Sequence, residues 1–302
     1  MDGPRPDRPG EAEKVEQCRQ LVDRVDWDCQ VETFFRLENL GCRQAVSQAI
    51  SWFFTHVDEG IILEDDCLPE PSFFRYTAEL LERFSDDERV MCISGDNPLA
   101  GHFHTEDSYY FSVTPFIWGW ATWRRAWNLY ENYPPTPAGS DWLNDFLASE
   151  EAAAYWKRMI DRTLADEINA WGPRWLYSCW QNHGLTVVPT SNLISNVGFD
   201  ERASHTRNAG HWEANRATSP VTFPLKHPQQ VVRNYEVDAL IWQIKFSIKK
   251  KTRRFETFGM TIDDWATRLS LATKSLRRQM ARLHPRRVLG KIGRMTGMTA
   301  FR

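Results

Sequence analysis

The stretch ILEDDCLP, Ile62 to Pro69, decides how the chain is read: two aliphatic residues run straight into Glu64-Asp65-Asp66, and a proline closes the segment. Gly60 to Leu63 predicts a short apolar strand, and its abrupt acidic end places three carboxylates at the rim of a sheet. Adjacent carboxylates repel one another in a partly dry site unless a cation or an array of donors holds them. Hard divalent ions take oxygen ligands, and Mg2+ commonly uses one or two protein carboxylates while substrate phosphates complete its shell. One chemical reading is therefore a metal ion that bridges protein to a diphosphate. The other is a solvated acidic turn opening the next helix, since Glu70 and an acidic first turn also suit a helix dipole.

Outward from this stretch, helical and extended patterns alternate. Residues 9 to 24 read as a helix, with Val15, Cys18, Leu21 and Val22 at helical spacing; Val31 to Leu37 reads as a strand and Gly41 to His56 as a helix. On the other side come a helix at Pro71 to Phe84 and a strand at Val90 to Ser94. Such alternation predicts an α/β fold with a mostly parallel sheet covered on both faces, and a ligand at the carboxyl ends of the strands. Ser94-Gly95-Asp96-Asn97 then opens on the same edge as Asp66, either approaching a ligand closely or making a plain turn. Only Met1-Asp2-Gly3-Pro4 precedes the first helix, where such a fold would have a strand. The expectation is a sheet truncated at its N-terminal side.

Beyond Tyr109 the character changes, and nine of the fourteen tryptophans fall between Trp118 and Trp180. A short strand at Tyr109 to Val113, helices near 122–130, 140–147, 151–166 and 173–183, and a strand at Thr186 to Pro189 are predicted. Trp120, Trp123 and Trp127 stand at helical spacing and read as core. Residues 200–232 are loop-like, and Val237 to Phe255 and Thr261 to Leu283 read as helices. The expected organisation is a body over 1–232, with halves of about 1–107 and 108–232, followed by a basic helical extension over 233–302.

Composition excludes several classes. A hydrophobic content of 42% with 25% charged residues is ordinary for a globular chain, not a disordered or collagenous one. The six cysteines form no CxxC pair, so neither a disulfide scaffold nor a zinc site is signalled, and a reducing cytoplasm is expected. Apolar runs are far shorter than the ~20 residues a membrane span needs. The net charge of −3 hides an asymmetry: residues 245–302 carry +13 and residues 1–244 carry −16. The acidic body is a poor partner for nucleic acid. The basic segment, with Ile241, Trp242, Ile244, Phe246 and Ile248 before Lys249-Lys250-Lys251, suits a helix lying on an anionic membrane, or one packed on the body with a solvated basic end.

Four blocks in order carry a resemblance: ILEDDCLP with Pro71 to Asn97, Tyr109 to Trp127, Trp171 to Trp180, and Pro189 to Phe199 with Ala203 to Thr206. Together they resemble GT-A nucleotide-sugar glycosyltransferases, particularly the N-acetylglucosaminyltransferase I type and its bacterial relatives, over roughly residues 2–206. The resemblance implies a GT-A-like fold and a metal-dependent, inverting glycosyltransferase. Its donor would be a nucleotide-diphosphate sugar such as a UDP-sugar, its acceptor a glycan or lipid-linked sugar, and its cofactor Mn2+ or Mg2+.

Carried over, Asp66 would ligate the metal and Asp65 would contact the ribose or donor sugar, with Glu64 in support. Asp2 corresponds to the aspartate that meets the base, and also reads as a turn residue bonding its own backbone. Asn39 lies beside the nucleotide in the family, or caps the helix after it. Asp96 falls on the donor side, Trp118 on the loop facing sugar and acceptor, and His205 near the donor phosphates. The general base is the departure. The family places a carboxylate where this chain has Gly172, so Asp96, Asp166 and Glu167 are left as the nearest carboxylates by sequence. A relative that binds sugar nucleotides without turnover, and a metal-dependent phosphohydrolase, are the rival readings.

Overall fold

The computed structural model describes residues 1–131, 141–199, 208 and 210–248. The helix expected at 261–283, His205 and the tail beyond 248 lie outside the described residues. Residues 1–249 form one compact unit, so the segment 233–248, assigned above to the extension, packs with the body.

Element order is α1 (Glu11–Arg19), a 3-10 turn (Gln20–Arg24), α2 (Gly41–His56), β1 (Glu59–Ile62), β2 (Cys67–Pro69), α3 (Ser72–Arg83) and β3 (Val90–Ser94). Then follow β4 (Tyr109–Ser112), β5 (Trp120–Trp123), α4 (Arg124–Trp127), α5 (Asp141–Leu147), α6 (Glu150–Leu164), α7 (Gly172–Gln181), β6 (Leu185–Pro189), β7 (Ile194–Asn196) and α8 (Tyr235–Ile244). A five-stranded sheet has the order β1-β5-β3-β6-β4, and β2 pairs with β7 as a separate ribbon.

The fold is α/β, but the sheet is mixed and mostly antiparallel, which corrects the mostly parallel expectation. Only β3 and β6 pair in parallel; β1 with β5, β5 with β3, and β6 with β4 are antiparallel. The cause is β5. Its tryptophans mimic helical spacing, yet Trp120 to Trp123 is a fully buried strand inserted between β1 and β3, and helix begins only at Arg124. Because β5 opposes both neighbours, β1 and β3 still run the same way, as the helical crossover α3 between them requires. The stretch Val31 to Leu37, expected as a strand, forms no regular strand, and Leu37 is 87% exposed.

The helices form for ordinary reasons. In α3, Phe73, Tyr76, Thr77, Leu80 and Leu81 recur on one face and are all buried. Ser149 caps α6 by accepting from the Ala152 amide, and Asn234 caps α8 by accepting from Val237. The core is dominated by stacked indoles. Trp120 lies against Trp171 at 5.6 Å and 22°, and Trp175 meets both Trp120 and Trp127. Arg174 is buried on α7 and ties that helix to its surroundings through Glu131 at 3.0 Å, the Thr163 carbonyl and Asp166. By contrast α1 buries no residue, so its predicted apolar face lies largely open.

α8 takes the second arrangement expected for it, packed on the body: Ile241 and Trp242 are buried in the core, and the partly buried Ile244, Phe246 and Ile248 pack against it. Among the described residues no helix is long and apolar enough to cross a membrane.

The indole of Trp180 is fully buried and donates from Nε1 to the Val113 carbonyl at 2.7 Å. Trp180→Ala should therefore destabilise the body by about 3–5 kcal/mol, read as a lower denaturation midpoint in urea. Trp180→Phe keeps most of the ring contacts and should cost roughly half as much or less.

Candidate functional site

One edge of the sheet gathers the acidic stretch and its neighbours. Since Ile62 pairs with Trp120, and Trp120 in turn with Ser94, the end of β1, the start of β5 and the end of β3 lie side by side. The Gly95 amide donates to the Gly119 carbonyl at 2.8 Å, and Leu193 donates to Gly95 at 2.9 Å. The Val197 amide donates to the Asp66 carbonyl at 2.9 Å, which carries the β2–β7 ribbon to the same place. Glycine is required twice here. Gly119 has φ +60 with Ile194 and Leu63 in the space a side chain would take, and a Cβ on Gly198 would overlap the Asp66 carboxylate.

The electrostatics of Glu64-Asp65-Asp66 are unrelieved. Burial, then the charges of Asp66 and Asp65, push the Glu64 carboxyl up to about 7. Burial and then Asp66 push the Cys67 thiol up to about 12, and burial followed by Glu64 raises Cys42 at the start of α2. Both sulfurs are therefore neutral thiols near neutral pH, leaving carboxylate oxygens as the donor set of this edge. Asp66 Oδ1 has a contact from Cys67 Sγ at 3.5 Å.

On the same edge the predicted Asp96 joins buried charges that sequence reasoning missed, Glu213, Arg216 and Lys245. Asp96 is 2% exposed and pairs with Arg216 at 3.1 Å, while Arg216 also donates to the Asn97 carbonyl. Burial raises the Asp96 carboxyl, against the opposing pull of Lys245 and Arg216. Glu213 is paired with Lys245, whose ammonium sits 4.7 Å from the centre of the Trp118 indole. Trp118 is half-buried and meets Phe199 edge-on at 5.7 Å, and Phe199 stacks on His211 at 5.5 Å. Arg216 and Glu213 fall in a polar stretch that reads as loop, and no local motif marks them.

The remaining predicted residues divide. Asp2 accepts from the amides of Leu40 and Gly41 at 3.0–3.1 Å, so it closes the start of α2, and Asn39 donates to the Gly3 carbonyl instead of capping that helix. Asp166 is shared between the guanidiniums of Arg43 and Arg174. Glu167 pairs with Arg162 at 3.1 Å on the surface. Neither carboxylate is brought to the acidic edge by any contact described. At Gly172 a Cβ would lie 2.5 Å from Ile117 Cδ1, next in sequence to Trp118. A pocket of about 460 Å3 at the other end of α2, lined by Ser51, Thr55, Arg124 and Tyr130 among others, includes none of the predicted site residues.

Among the described residues no group of three or more His, Cys, Asp or Glu side chains is arranged to hold a metal ion. A site that uses one carboxylate and completes its shell with substrate oxygens does not need three. Burial, then the charges of Asp66 and Asp65, hold Glu64 toward its neutral form, which a cation at this edge would oppose, and Asp66 is the residue whose carboxylate meets the Gly198 backbone there. The chain matches no protein-family profile and no curated protein.

The raised carboxyl of Glu64 has a signed consequence. Its ordinary value is 4.5 and its folded value about 7, so between these limits the native state holds a proton that the unfolded chain has lost. Stability from this group is therefore lost as pH rises from about 4.5 to about 7. Glu64→Gln should exceed the wild type in stability at pH ~8 by about 1–3 kcal/mol, allowing for partial exposure, and match it at pH ~4.5. Urea melts at both pH values decide this; an equal gap at both would mean that Glu64 is fully solvated.

Proposed function

We propose that this protein is a metal-dependent, inverting glycosyltransferase that moves a sugar from a nucleotide-diphosphate donor, a UDP-sugar, to a glycan or lipid-linked acceptor. The observation that carries the reading is the convergence at one sheet edge of Glu64, Asp66, Asp96 and Trp118, with unrelieved negative charge on the acidic stretch. Asp66 would hold Mn2+ or Mg2+ and Asp65 would address the donor. Bound there, the metal would neutralise charge on the departing diphosphate, a contribution of several kcal/mol in general.

The chain's own residues would do the rest. Neutral thiols at Cys42 and Cys67 line the edge without competing for charge. Trp118 offers an apolar indole face to a pyranose, and Gly119 and Gly198 let backbone approach closely. Asp96 is neutralised by Arg216, so it serves better as a fixed partner of that arginine than as a free base.

A second reading is a sugar-nucleotide binder without turnover. It is favoured by Gly172, where Ile117 occupies the space a side chain would need, and by the ion pairs that engage Asp96, Asp166 and Glu167. Transfer and donor-hydrolysis assays separate the two readings, since a binder is stabilised by donor and metal yet releases no nucleoside diphosphate.

A thermal-shift panel of UDP-sugars with and without Mn2+ tests the reading common to both. One sugar nucleotide at 100 times its dissociation constant should stabilise the protein by about 2.7 kcal/mol, and only with metal. Asp66→Ala should abolish the metal-dependent part with the fold intact, and Asp65→Ala should weaken donor binding while metal affinity remains. Metal-dependent stabilisation that survives in Asp66→Ala would remove the central assignment.

A further inference from the structure

We propose that Lys245 is a positioning residue of the candidate site, setting the orientation of the Trp118 indole from the end of α8. Its functional consequence rests on the glycosyltransferase reading; the positioning itself does not.

The geometry is a closed circuit of side chains. Trp118 meets Phe199, Phe199 stacks on His211, and His211 Nδ1 lies 3.9 Å from a Glu213 carboxylate oxygen. Glu213 is paired with Lys245, and the Lys245 ammonium returns to the indole at 4.7 Å and to the Phe116 ring at 5.6 Å. A cation within ~6 Å of a ring centre is attracted by the ring's quadrupole, most strongly for an indole and more strongly still when water is excluded. Both members of the pair are largely shielded, with Lys245 side-chain exposure at 16% and Glu213 at 11%. A surface lysine would gain little by holding one geometry, whereas here Glu213 fixes where the ammonium sits.

The position in the chain gives the contact its meaning. Lys245 follows directly on α8, whose Val237, Ile241 and Trp242 are locked in the core, and its amide continues the helix by donating to Ile241. Trp118 lies in the loop just before β5, at the acidic edge. The ring facing a donor sugar is therefore held by a helix remote in sequence. Its alignment depends on the seating of α8.

Simple loss of Lys245 would leave the Glu213 carboxylate buried and unpaired, and could unfold the chain for that reason alone. The test therefore uses the charge-balanced double variant Lys245→Met/Glu213→Gln beside Lys245→Arg, in full-length protein labelled with 5-fluorotryptophan. Trp118→Phe assigns the fluorine resonance of residue 118. With melting temperature near wild type, the double variant should move or split this resonance and leave those of the core indoles in place, and Lys245→Arg should restore a single line near the original position. An unmoved Trp118 resonance in the folded double variant overturns the proposal, as does a change spread equally over all the tryptophans.

The second measurement compares binding of UDP and UDP-N-acetylglucosamine, each with Mn2+. The double variant should lose up to about tenfold of any preference for the sugar nucleotide over UDP, with UDP affinity unchanged. A wild type that binds neither nucleotide refutes the glycosyltransferase reading, and the fluorine spectrum still decides the role of Lys245.

Discussion

Burying Trp120 between β1 and β3 is the constraint from which the rest of the architecture follows. A strand placed there must satisfy both neighbours through its backbone, and β5 does so by running against each, with Trp120 opposite Ile62 on one side and Ser94 on the other. Two strands that oppose the same third strand run parallel to each other, so the ends of β1 and β3 emerge at one edge. The indole of Trp120 then needs a cover of its own size, which Trp171 and Trp175 supply from α7. The acidic stretch, the Gly95 turn and the Trp118 loop are neighbours because of this one insertion, not because the chain brings them together locally.

Asp96 and Glu64 stand on that edge in different electrostatic surroundings. Burial raises the Asp96 carboxyl, as it does that of Glu64, but at Asp96 Lys245 and Arg216, the latter 3.1 Å away, pull against the rise. Its charge is compensated within the protein. The acidic stretch has the reverse balance, since each influence resolved on Glu64 resists ionisation, and two of the three come from its own neighbours. Two cations stand beside Asp96, whereas none is among the influences resolved on Glu64. On the proposed reading, a divalent ion brought with a diphosphate would supply the positive charge.

What could be read from the amino-acid order was what depends on local pattern. The bounds of α2 and β3 follow directly from apolar periodicity, and the four-residue stagger of Phe73, Tyr76 or Thr77, and Leu80 or Leu81 marks α3 unambiguously. The strand-end position of Glu64 to Asp66 was legible for the same reason. The sheet's direction was not, because Trp120, Trp123 and Trp127 satisfy a helical spacing by accident: two sit on a strand and one on the short helix after it. Glu213, Arg216 and Lys245 were illegible in a stronger sense. Glu213 and Arg216 look like solvated charges in a polar stretch and Lys245 like the start of the basic segment, and each acquires its role only through partners about 30 to 120 residues away. Asp2 was legible as a turn aspartate, and it does accept from its own neighbour's amide at Gly3, but the further amides of Leu40 and Gly41 are brought to it only by the fold.

The general base that the proposed transfer would need presents the same problem in its sharpest form. A carboxylate that abstracts a proton must be close to the acceptor and free of a permanent cation. Asp166 is near the α7 side of the tryptophan core but is held by two arginines, Glu167 faces solvent beside Arg162, and Asp96 is committed to Arg216. At the position after Trp171, the Ile117 side chain fills the room that a carboxylate would need, and Ile117 adjoins the very tryptophan that faces the site. An acid placed at 172 would meet the end of the Ile117 side chain, which must turn aside to admit it. With isoleucine at 117, glycine at 172 lets the start of α7 lie against the Trp118 loop without that adjustment.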